Sequence, residues 1–490
     1  MVTNKQKPFL LYVTFDRVGH MTPALQVMEH LVSKGFEIGA ISSETWRPAV
    51  ERLGGKWFPY LGVLESNESM MSFANELGLA GMDKMTPLQL TTAFMKYITI
   101  EAMSSSLESI RSAVMLTRHV QPGREIILLY AYPCGGSLPL HLGAGIPGFR
   151  GGGEEQEPLK SILINIIPPP WTTPQNPPPY SGLAFDDSEA GIARNELVAA
   201  SWPPTHFHAE LRTMLSRCGV SNACFDRFHE QYAHDGATHS LFDYYWVGHT
   251  TTLQMSSPSA EYPTASWPVH CKLAGFLPTK PLPATFVPPA WFAELQDNQA
   301  STSASRKKVV FVAQGTVVTD YHSLIIPTIA ALAHRDDILV VVVLCKRGAT
   351  LVLDNNETLP SNVRIADYLP YDAALPFADV FISNSGYGGL NHAINHGVPI
   401  LQVGATEDKM DLGRRIQYAG NGVYIRPTTA ASLRSALDLL TSDDKYRKRA
   451  LQIRDESVAM NALGRIEEEI LNMSSGAPNH ESQNSLAVSS

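Results

Sequence analysis

Short apolar runs alternate with helix-length segments along the first part of the chain. Three runs have the length and composition of buried strands: FLLYVTF at 9–15, EIILLYAY at 125–132 and SILINII at 161–167. Pro23 suits a first helical position, so the pattern predicts a helix from there to about Ser33, followed by the strand FEIGAIS. Buried strands that alternate with helices favour a parallel sheet with helices on both faces.

Two stretches of this first part depart from the alternation. Residues 64–118 are rich in methionine and partly show helical spacing, and residues 168–182 are rich in proline and cannot form regular structure. We expect both stretches to line a ligand pocket. Each residue in them could equally belong to an ordinary connecting helix or to a long loop.

The second half of the chain repeats the alternation of strands and helices after a linker that contains prolines and a Ser/Thr run. Four apolar runs there predict strands: KVVFVAQ, DILVVVVL, DVFIS and PILQV. The whole pattern predicts an α/β protein with two doubly wound, Rossmann-like domains that face a cleft. Such folds bind ligands at the carboxyl ends of their strands.

These patterns divide the chain into five parts. An N-terminal domain at 1–277 precedes a linker at 278–306, and a second domain occupies 307–455. A last helix is expected at about 456–472. The final residues, 473–490, are polar and predict a disordered tail.

Composition and charge narrow the classes of function. The 490 residues suffice for two domains, and 44% of them are hydrophobic, as in ordinary globular proteins. The 38 basic and 47 acidic side chains give a formal net charge of −9 without long charge runs, which argues against a nucleic-acid partner. No apolar run approaches the ~20 residues that span a bilayer, and no secretory signal opens the chain.

The cysteines indicate the compartment. Cys218 and Cys224 lie near enough in sequence to form a disulfide, but the total of five is odd and no C-x-x-C pair occurs. We therefore expect free thiols, a cytoplasmic location and no metal site.

The most informative stretch is Asp379–Lys409, in which a strand leads into the glycine-rich turn NSGYGG at 384–389 and then a helix. Backbone N–H groups at such a turn are unpaired and lie at the positive end of the helix dipole, which suits a phosphate or diphosphate. Asn391 occupies the place of the third glycine of G-x-G-x-x-G, and no G-x-x-x-x-G-K-[ST] run is present. The turn therefore carries neither the dinucleotide nor the P-loop signature.

This stretch resembles the donor-binding box of the UDP-glycosyltransferase superfamily, of the family-one type. The matching segments are NSGYGG, GVP at 397–399 and TEDK at 406–409, and this variant is similar to a fungal and bacterial branch. A second match is GHMTP at 19–23, after the first strand. The resemblance covers most of the chain, most strongly 309–425, and implies the GT-B architecture, in which the last helix crosses back to the N-terminal domain.

The resemblance also implies which residues bind the donor. Gly315 and Thr316, after the strand KVVFVAQ, would contact the diphosphate, and Tyr368 would stack on uracil, unless it is a core aromatic at a strand end. The full implied set is Gly315, Thr316, Tyr368, Asn384, Ser385, Gly386, Gly388, His392, Asp408 and Lys409.

Three members of this set differ from the family pattern. Asn384 replaces a histidine and leaves a neutral amide near the phosphates. His392 stands where the family has a glutamate that binds the ribose hydroxyls, and an imidazole cannot hold both. Lys409 replaces a glutamine that, together with an acidic residue (here Asp408), reads the sugar hydroxyls. Without the resemblance, Asp408 and Lys409 would be interpreted as a solvated turn.

His20 matches the general base of the family, which takes the proton from the acceptor hydroxyl. The family usually pairs this histidine with an aspartate just after the fourth N-terminal strand. The equivalent place here, residues 130–132, reads Tyr-Ala-Tyr and holds no carboxylate. Glu101, Glu108 and Asp16 are conceivable substitutes, and the sequence selects none of them.

The predicted function is inverting, metal-independent transfer of a sugar, by default glucose, from a UDP-sugar to a hydroxyl of a small apolar acceptor. A phenolic, terpenoid or sterol product of secondary metabolism would fit as acceptor. No cofactor is expected, because the UDP-sugar is a co-substrate, and neither nucleic acid nor an integral membrane segment is expected. The alternatives are a catalytically degenerate UDP-sugar-binding protein, an epimerase on the same fold, and a nicotinamide oxidoreductase, which the glycine spacing disfavours.

Overall fold

The computed structural model describes residues 6–64, 89, 92–93, 96–146, 159–202, 207–232, 239–302, 305–315, 320–353, 358–384, 386–405 and 408–475. Two of the expected donor-binding residues, Thr316 and Ser385, lie outside the described residues. So do most of the Met-rich stretch before residue 96 and the final residues 476–490.

The N-terminal half forms a seven-stranded parallel sheet in the order β3-β2-β1-β4-β5-β6-β7. Its strands are β1 (Phe9–Val13), β2 (Glu37–Ser42), β3 (Lys56–Pro59), β4 (Ile126–Ala131), β5 (Ser161–Asn165), β6 (Thr251–Gln254) and β7 (Cys271–Leu273). Since β4 lies between β1 and β5, the carboxyl ends of these three strands are neighbours at one edge of the sheet.

Helices cover both faces of this sheet, which explains why its central strands are apolar throughout. They are α1 (Val18–Ser33), α2 (Arg47–Arg52), α3 (Met103–Val120), α4 (Ser137–His141), α5 (Glu189–Ser201), α6 (His208–Arg217), α7 (Asn222–Tyr232) and α8 (Leu241–Val247). The described end of the Met-rich stretch is thus helical, and α3 buries Leu107, Ile110 and Val114 against the sheet.

The start of α1 differs from the sequence-based expectation. The helix begins at Val18, and Pro23 lies inside it rather than at its first position. A proline in the second turn lacks only the N–H that would bond Gly19, and the helix tolerates this loss so close to its start. His20 therefore belongs to the first turn of α1 and not to the preceding loop.

The C-terminal half forms a six-stranded parallel sheet in the order β10-β9-β8-β11-β12-β13. Its strands are β8 (Lys308–Ala313), β9 (Ile338–Val343), β10 (Val363–Ala366), β11 (Val380–Ser383), β12 (Ile400–Gln402) and β13 (Gly422–Tyr424). The helices are α9 (Phe292–Ala300) in the linker, then α10 (Ile325–Leu332), α11 (Tyr371–Ala374), α12 (Tyr387–Asn395), α13 (Lys409–Ala419), α14 (Ala430–Ser442), α15 (Lys445–Met460) and α16 (Ala462–Ser475).

The end of the chain returns to the N-terminal sheet. Asn461, in a left-handed conformation with φ 53°, separates α15 from α16, so the expected single helix at 456–472 is two helices. Glu469 of α16 accepts hydrogen bonds from Thr251 at 2.8 Å and Lys272 at 3.3 Å. The helix also extends three residues into the expected tail, because Met473 is buried.

The carboxyl edges of the two sheets face each other. The hydroxyl of Tyr387, the first residue of α12, donates to the Met255 carbonyl at 2.6 Å, just beyond β6. The ring of Tyr387 also stacks on Phe276 at a centroid distance of 5.7 Å. Among the helices within the described ranges, none is long and apolar enough to cross a bilayer.

Candidate active site

His20 lies just beyond the carboxyl end of β1. Its backbone N–H donates to the Arg17 carbonyl at 2.9 Å, in the first turn of α1. Its imidazole meets the ring of Phe15 edge to face, with ring centroids 5.0 Å apart. The side chain is partly exposed, and its Nδ1 is buried.

A small, mainly apolar pocket adjoins His20. Phe15, which touches the imidazole, forms part of its wall. The complete lining is Phe15, Asp16, Tyr60, Leu64, Ile98, Ser106, Pro133, Cys134 and Gly135. Burial raises the pKa of the Cys134 thiol to about 11, which leaves it protonated and unreactive at neutral pH.

The three acidic residues considered as partners of His20 occupy different places. Glu101 lies 3.8 Å from Lys96, and Glu108 lies 3.9 Å from Arg111. Only Asp16 of these three lines the pocket beside Phe15. Its Oδ1 is buried and makes no hydrogen bond to any residue that the structure describes.

The glycine-rich turn lies on the opposite side of the cleft, between β11 and α12. Asn384 is 4% exposed, and its Oδ1 has no hydrogen-bond partner within the described part of the chain. Gly386 is the N-cap of α12, and a Cβ placed on it would lie 3.4 Å from Oδ1 of Asp408. The glycine-rich turn and Asp408 of TEDK therefore meet.

Lys409 is buried, not part of a solvated turn. It is 3% exposed at the start of α13, and its side chain packs over Gly404 together with Asn384. Gly404 has a φ of 100°, and a Cβ there would lie 3.1 Å from the Lys409 stem. This packing brings Asn384, Asp408 and Lys409 into one group around the turn.

Gly315 lies at the carboxyl end of β8 with a φ of 74°. The backbone of Gly315 forms a hydrogen bond with the side chain of Cys345 and with that of Tyr371. The sulfur of Cys345 and the hydroxyl of Tyr371 lie 3.3 Å apart. Burial raises the pKa of Tyr371 well above its usual range, with a further contribution from Cys345. The ends of β8 and β9 and the start of α11 thus converge.

Tyr368 is not a core residue. It is 44% exposed beyond β10, so the interpretation as a buried strand-end aromatic is wrong. The Arg347 guanidinium lies 4.2 Å from its ring centroid. The backbone N–H of Tyr368 donates to Asp367 at 2.7 Å, which fixes the start of the loop that carries the ring.

His392 is paired with a carboxylate. Its Nδ1 lies 2.8 Å from Oδ1 of Asp372 in α11, and Nε2 of His396 lies 3.0 Å from the same oxygen. Burial alone raises the pKa of Asp372, but the two imidazole hydrogen bonds outweigh it and hold the pKa at about 2. Asp372 is therefore ionised at neutral pH and fixes the orientation of both rings.

Known proteins resemble the chain over nearly its whole length. The family model of the erythromycin biosynthesis protein CIII-like C-terminal domain matches residues 328–473. UDP-glucosyltransferase 1 of Beauveria bassiana (strain ARSEF 2860) is 30% identical over 468 residues, which cover 92% of each chain. The chain belongs to the UDP-glycosyltransferase superfamily. The 4'-demethylrebeccamycin synthase of Lentzea aerocolonigenes is 28% identical and covers 93% of this chain and 96% of its own.

Solved structures show the same fold. The calicheamicin glycosyltransferase CalG4 superposes with a TM-score of 0.61 at 15% identity, over 96% of this chain and 100% of its own. The glycosyltransferase of kitacinnamycin gives a TM-score of 0.59 at 18% identity, over 95% and 99%. These structures confirm the expected GT-B architecture. The curated relatives confirm a UDP-dependent glycosyltransferase, while the role of each site residue stays a prediction.

Sequence reasoning overlooked two residues that contact the predicted donor-binding residues His392 and Tyr368. Asp372 and Arg347 lie beyond two different strands of the second sheet, 20 and 45 positions before His392. The spacing of four between His392 and His396, which places both on one helix face, was the available signal. No local pattern marks the carboxylate that the two imidazoles share.

Proposed function

We propose that the chain transfers a sugar from a UDP-sugar to a hydroxyl of a small apolar acceptor, with inversion at the anomeric carbon. The observation that carries this proposal is the placement of His20 beside an apolar pocket on one side of the cleft, with the NSGYGG turn on the other. Tyr387, within that turn, contacts the N-terminal half at Met255. One ligand can therefore bridge the two halves.

The proposed chemistry is a single displacement. His20 accepts the proton of the acceptor hydroxyl as its oxygen forms a bond to the anomeric carbon. The bond from that carbon to the β-phosphate oxygen breaks, and its electron pair leaves with UDP. Attack opposite the leaving group inverts the configuration, and the proton stays on the imidazole until solvent removes it.

The chain's own dipoles support the departure of UDP without a metal. The amides at the N-terminus of α12, around Gly386 and Gly388, lie at the positive end of that helix. The amide group of Asn384 is buried beside them. We propose that these groups, with Gly315 and the neighbouring Thr316 and Ser385, bind the diphosphate.

Glucose is the sugar that relatives support. The Beauveria bassiana relative is named a UDP-glucosyltransferase, as is UDP-glucosyltransferase A1 of Starmerella bombicola, which is 25% identical and covers 96% of this chain. Lys409 and Asp408 lie beside the turn and are proposed to read the sugar hydroxyls. The apolar chemistry of the pocket wall favours an apolar acceptor, and we propose a phenol, a terpenoid alcohol or a sterol of secondary metabolism. Five free thiols support the cytoplasm as the place of reaction.

The test is transfer by the wild-type protein and the His20→Ala variant. UDP-glucose, UDP-xylose and UDP-N-acetylglucosamine are offered with phenols, terpenoid alcohols and sterols, and product mass and anomeric configuration are read. A β-linked adduct from an α-linked donor, lost by at least about 10²-fold in the variant, supports the proposal. Binding of UDP with no adduct from any pair would favour a degenerate UDP-sugar-binding protein, which the lack of a carboxylate at residues 130–132 makes the second candidate.

A further inference from the structure

Helix α13 begins at the donor motif and reaches into the other half of the molecule. Its first residue, Lys409, packs beside Asn384. Two residues later, the carboxylate of Asp411 is only 8% exposed. It accepts the backbone N–H of Tyr180 at 2.5 Å and that of Gly182 at 3.2 Å. One carboxylate thus holds two amides of the Pro-rich loop of the N-terminal half.

The next turn of α13 holds the same loop. Arg414 donates to the Gly182 carbonyl at 2.9 Å, and Arg415 donates to the Pro169 carbonyl at 3.1 Å. Arg415 also forms a buried ion pair with Glu261 at 2.8 Å. Residues 169–185, hereafter the bridging loop, are therefore bound at both ends by one face of one helix.

The conformation of the bridging loop is specific to this contact. Tyr180 and Gly182 both have left-handed backbones, with φ of 64° and 66°, which turns their N–H groups toward the same carboxylate. A Cβ on Gly182 would lie 2.9 Å from the Met410 sulfur. A non-glycine residue with positive φ is uncommon and persists where its surroundings fix it.

The other side of the bridging loop packs against the N-terminal half. The ring of Tyr180 lies 5.0 Å from that of Phe242, and the Thr172 N–H donates to Asp243 at 2.6 Å. The loop follows β5, whose neighbour β4 leads into Pro133 and Cys134 of the pocket wall. The contacts of α13 thus continue through the bridging loop to α8 of the N-terminal half.

We propose that Asp411 is a positioning residue through which occupation of the donor site orders the bridging loop on the acceptor side. This inference rests on the proposed function, since it takes the start of α13 to contact the donor. A ligand held by Asp408 and Lys409 restrains the first turn of α13, and Asp411 transmits that restraint to the amides of Tyr180 and Gly182. Because coupling is reciprocal, a bound acceptor that orders the loop also tightens the binding of the donor.

The direct test is hydrogen exchange of the bridging loop with UDP as the only added ligand. In the wild type, the amides of Tyr180 and Gly182 should exchange about tenfold more slowly with saturating UDP. In Asp411→Asn, UDP should still bind, but this UDP-dependent protection should disappear. The two N–H groups bond different oxygens of Asp411, and in asparagine one of these oxygens is replaced by an NH2 group, which cannot accept. A matching rise in acceptor KM with UDP affinity retained would separate positioning from a general loss of structure.

Glu456→Gln is the matched control. Glu456 also accepts a hydrogen bond from a backbone N–H of the N-terminal half, that of Ser259 at 2.9 Å. It lies on α15, however, and not on α13. This variant should keep the UDP-dependent protection of the bridging loop. If Asp411→Asn unfolds, Gly182→Ala disturbs the same contact from the loop side and should give the same loss.

Unchanged protection by UDP in folded Asp411→Asn, or equal loss in Glu456→Gln, overturns the inference. A wild type that binds UDP and transfers sugar without any protection of the loop also overturns it and leaves the proposed function standing. A wild type that binds no UDP overturns both.

Discussion

Nδ1 of His392 lies 2.8 Å from the Asp372 carboxylate, and this pair links helix α12 to helix α11. Asp372 is 14% exposed, and its pKa of about 2 lies below the ~3.9 of an unfolded aspartate. A depressed carboxyl pKa stabilises the fold above the unfolded pKa, and the contribution is lost as the pH falls through the folded value.

Asp372→Asn should therefore lower the free energy of unfolding by about 2 kcal/mol at pH 7. The difference between wild type and variant should shrink as the pH falls from about 4 toward 2. Urea unfolding at several pH values measures this difference in the free energy of unfolding. Asp438→Asn, which removes an exposed ion pair with Arg335, should change stability by less than about 1 kcal/mol at each pH. A pH-independent difference for Asp372→Asn would contradict the assignment.

We expect Asp16 to support His20, the proposed general base. Its buried, unbonded Oδ1 borders the pocket that Phe15 shares with His20, so its charge can stabilise the imidazolium formed during transfer. Asp16→Asn should lower kcat by about 10- to 100-fold, which corresponds to roughly 1.4–3 kcal/mol of charge stabilisation. Glu101→Gln and Glu108→Gln, already paired with Lys96 and Arg111, should retain near wild-type kcat. If Glu101→Gln or Glu108→Gln lost activity instead, that glutamate and not Asp16 would be the residue that supports His20.

Tyr368 is expected to stack on the uracil ring. Tyr368→Ala should weaken UDP binding by about 1–3 kcal/mol, and Tyr368→Phe should retain most of the affinity. Since the side chain is 44% exposed, the melting temperature without ligand should hardly change. Calorimetric titration with UDP measures both variants, and equal affinity of Tyr368→Ala and wild type would remove Tyr368 from the donor site.

The buried pair of Glu261 and Arg415 joins the two halves. Burial raises the pKa of Glu261 even beside Arg415, which indicates a large desolvation cost. Glu261→Ala should destabilise the protein by about 3–5 kcal/mol because the Arg415 guanidinium loses its ion-pair partner. Replacing both, with Glu261→Leu and Arg415→Met, should recover much of that loss. Thermal unfolding of the wild type and these two variants tests this, and a double variant less stable than Glu261→Ala would show that the charges themselves are needed.

Most inner strands of both sheets and the glycine-rich turn before α12 could be predicted from sequence, because apolar runs such as FLLYVTF and glycines after a strand are local signals. The short strands β3, β6, β7, β10 and β13 were not predicted, since they are only three or four residues long. The helix start at Val18 was missed, since Pro23 marks a tolerated position as well as a first one. The burial of Lys409 could not be foreseen, because it depends on Gly404 and Asn384 packing around its stem. The partner of His392 lies in another helix, and no local pattern reports such a contact.

The last helix, α16, completes the first domain from the opposite end of the chain. Glu469 bonds Thr251 and Lys272, and Lys160 donates to the Met473 carbonyl at 2.6 Å. The N-terminal domain is therefore not formed by one contiguous segment of the sequence. Chimeras built to exchange acceptor specificity between relatives would need to move α16 together with the first 277 residues. A single crossover in the linker would pack the N-terminal sheet of one protein against the α16 of another.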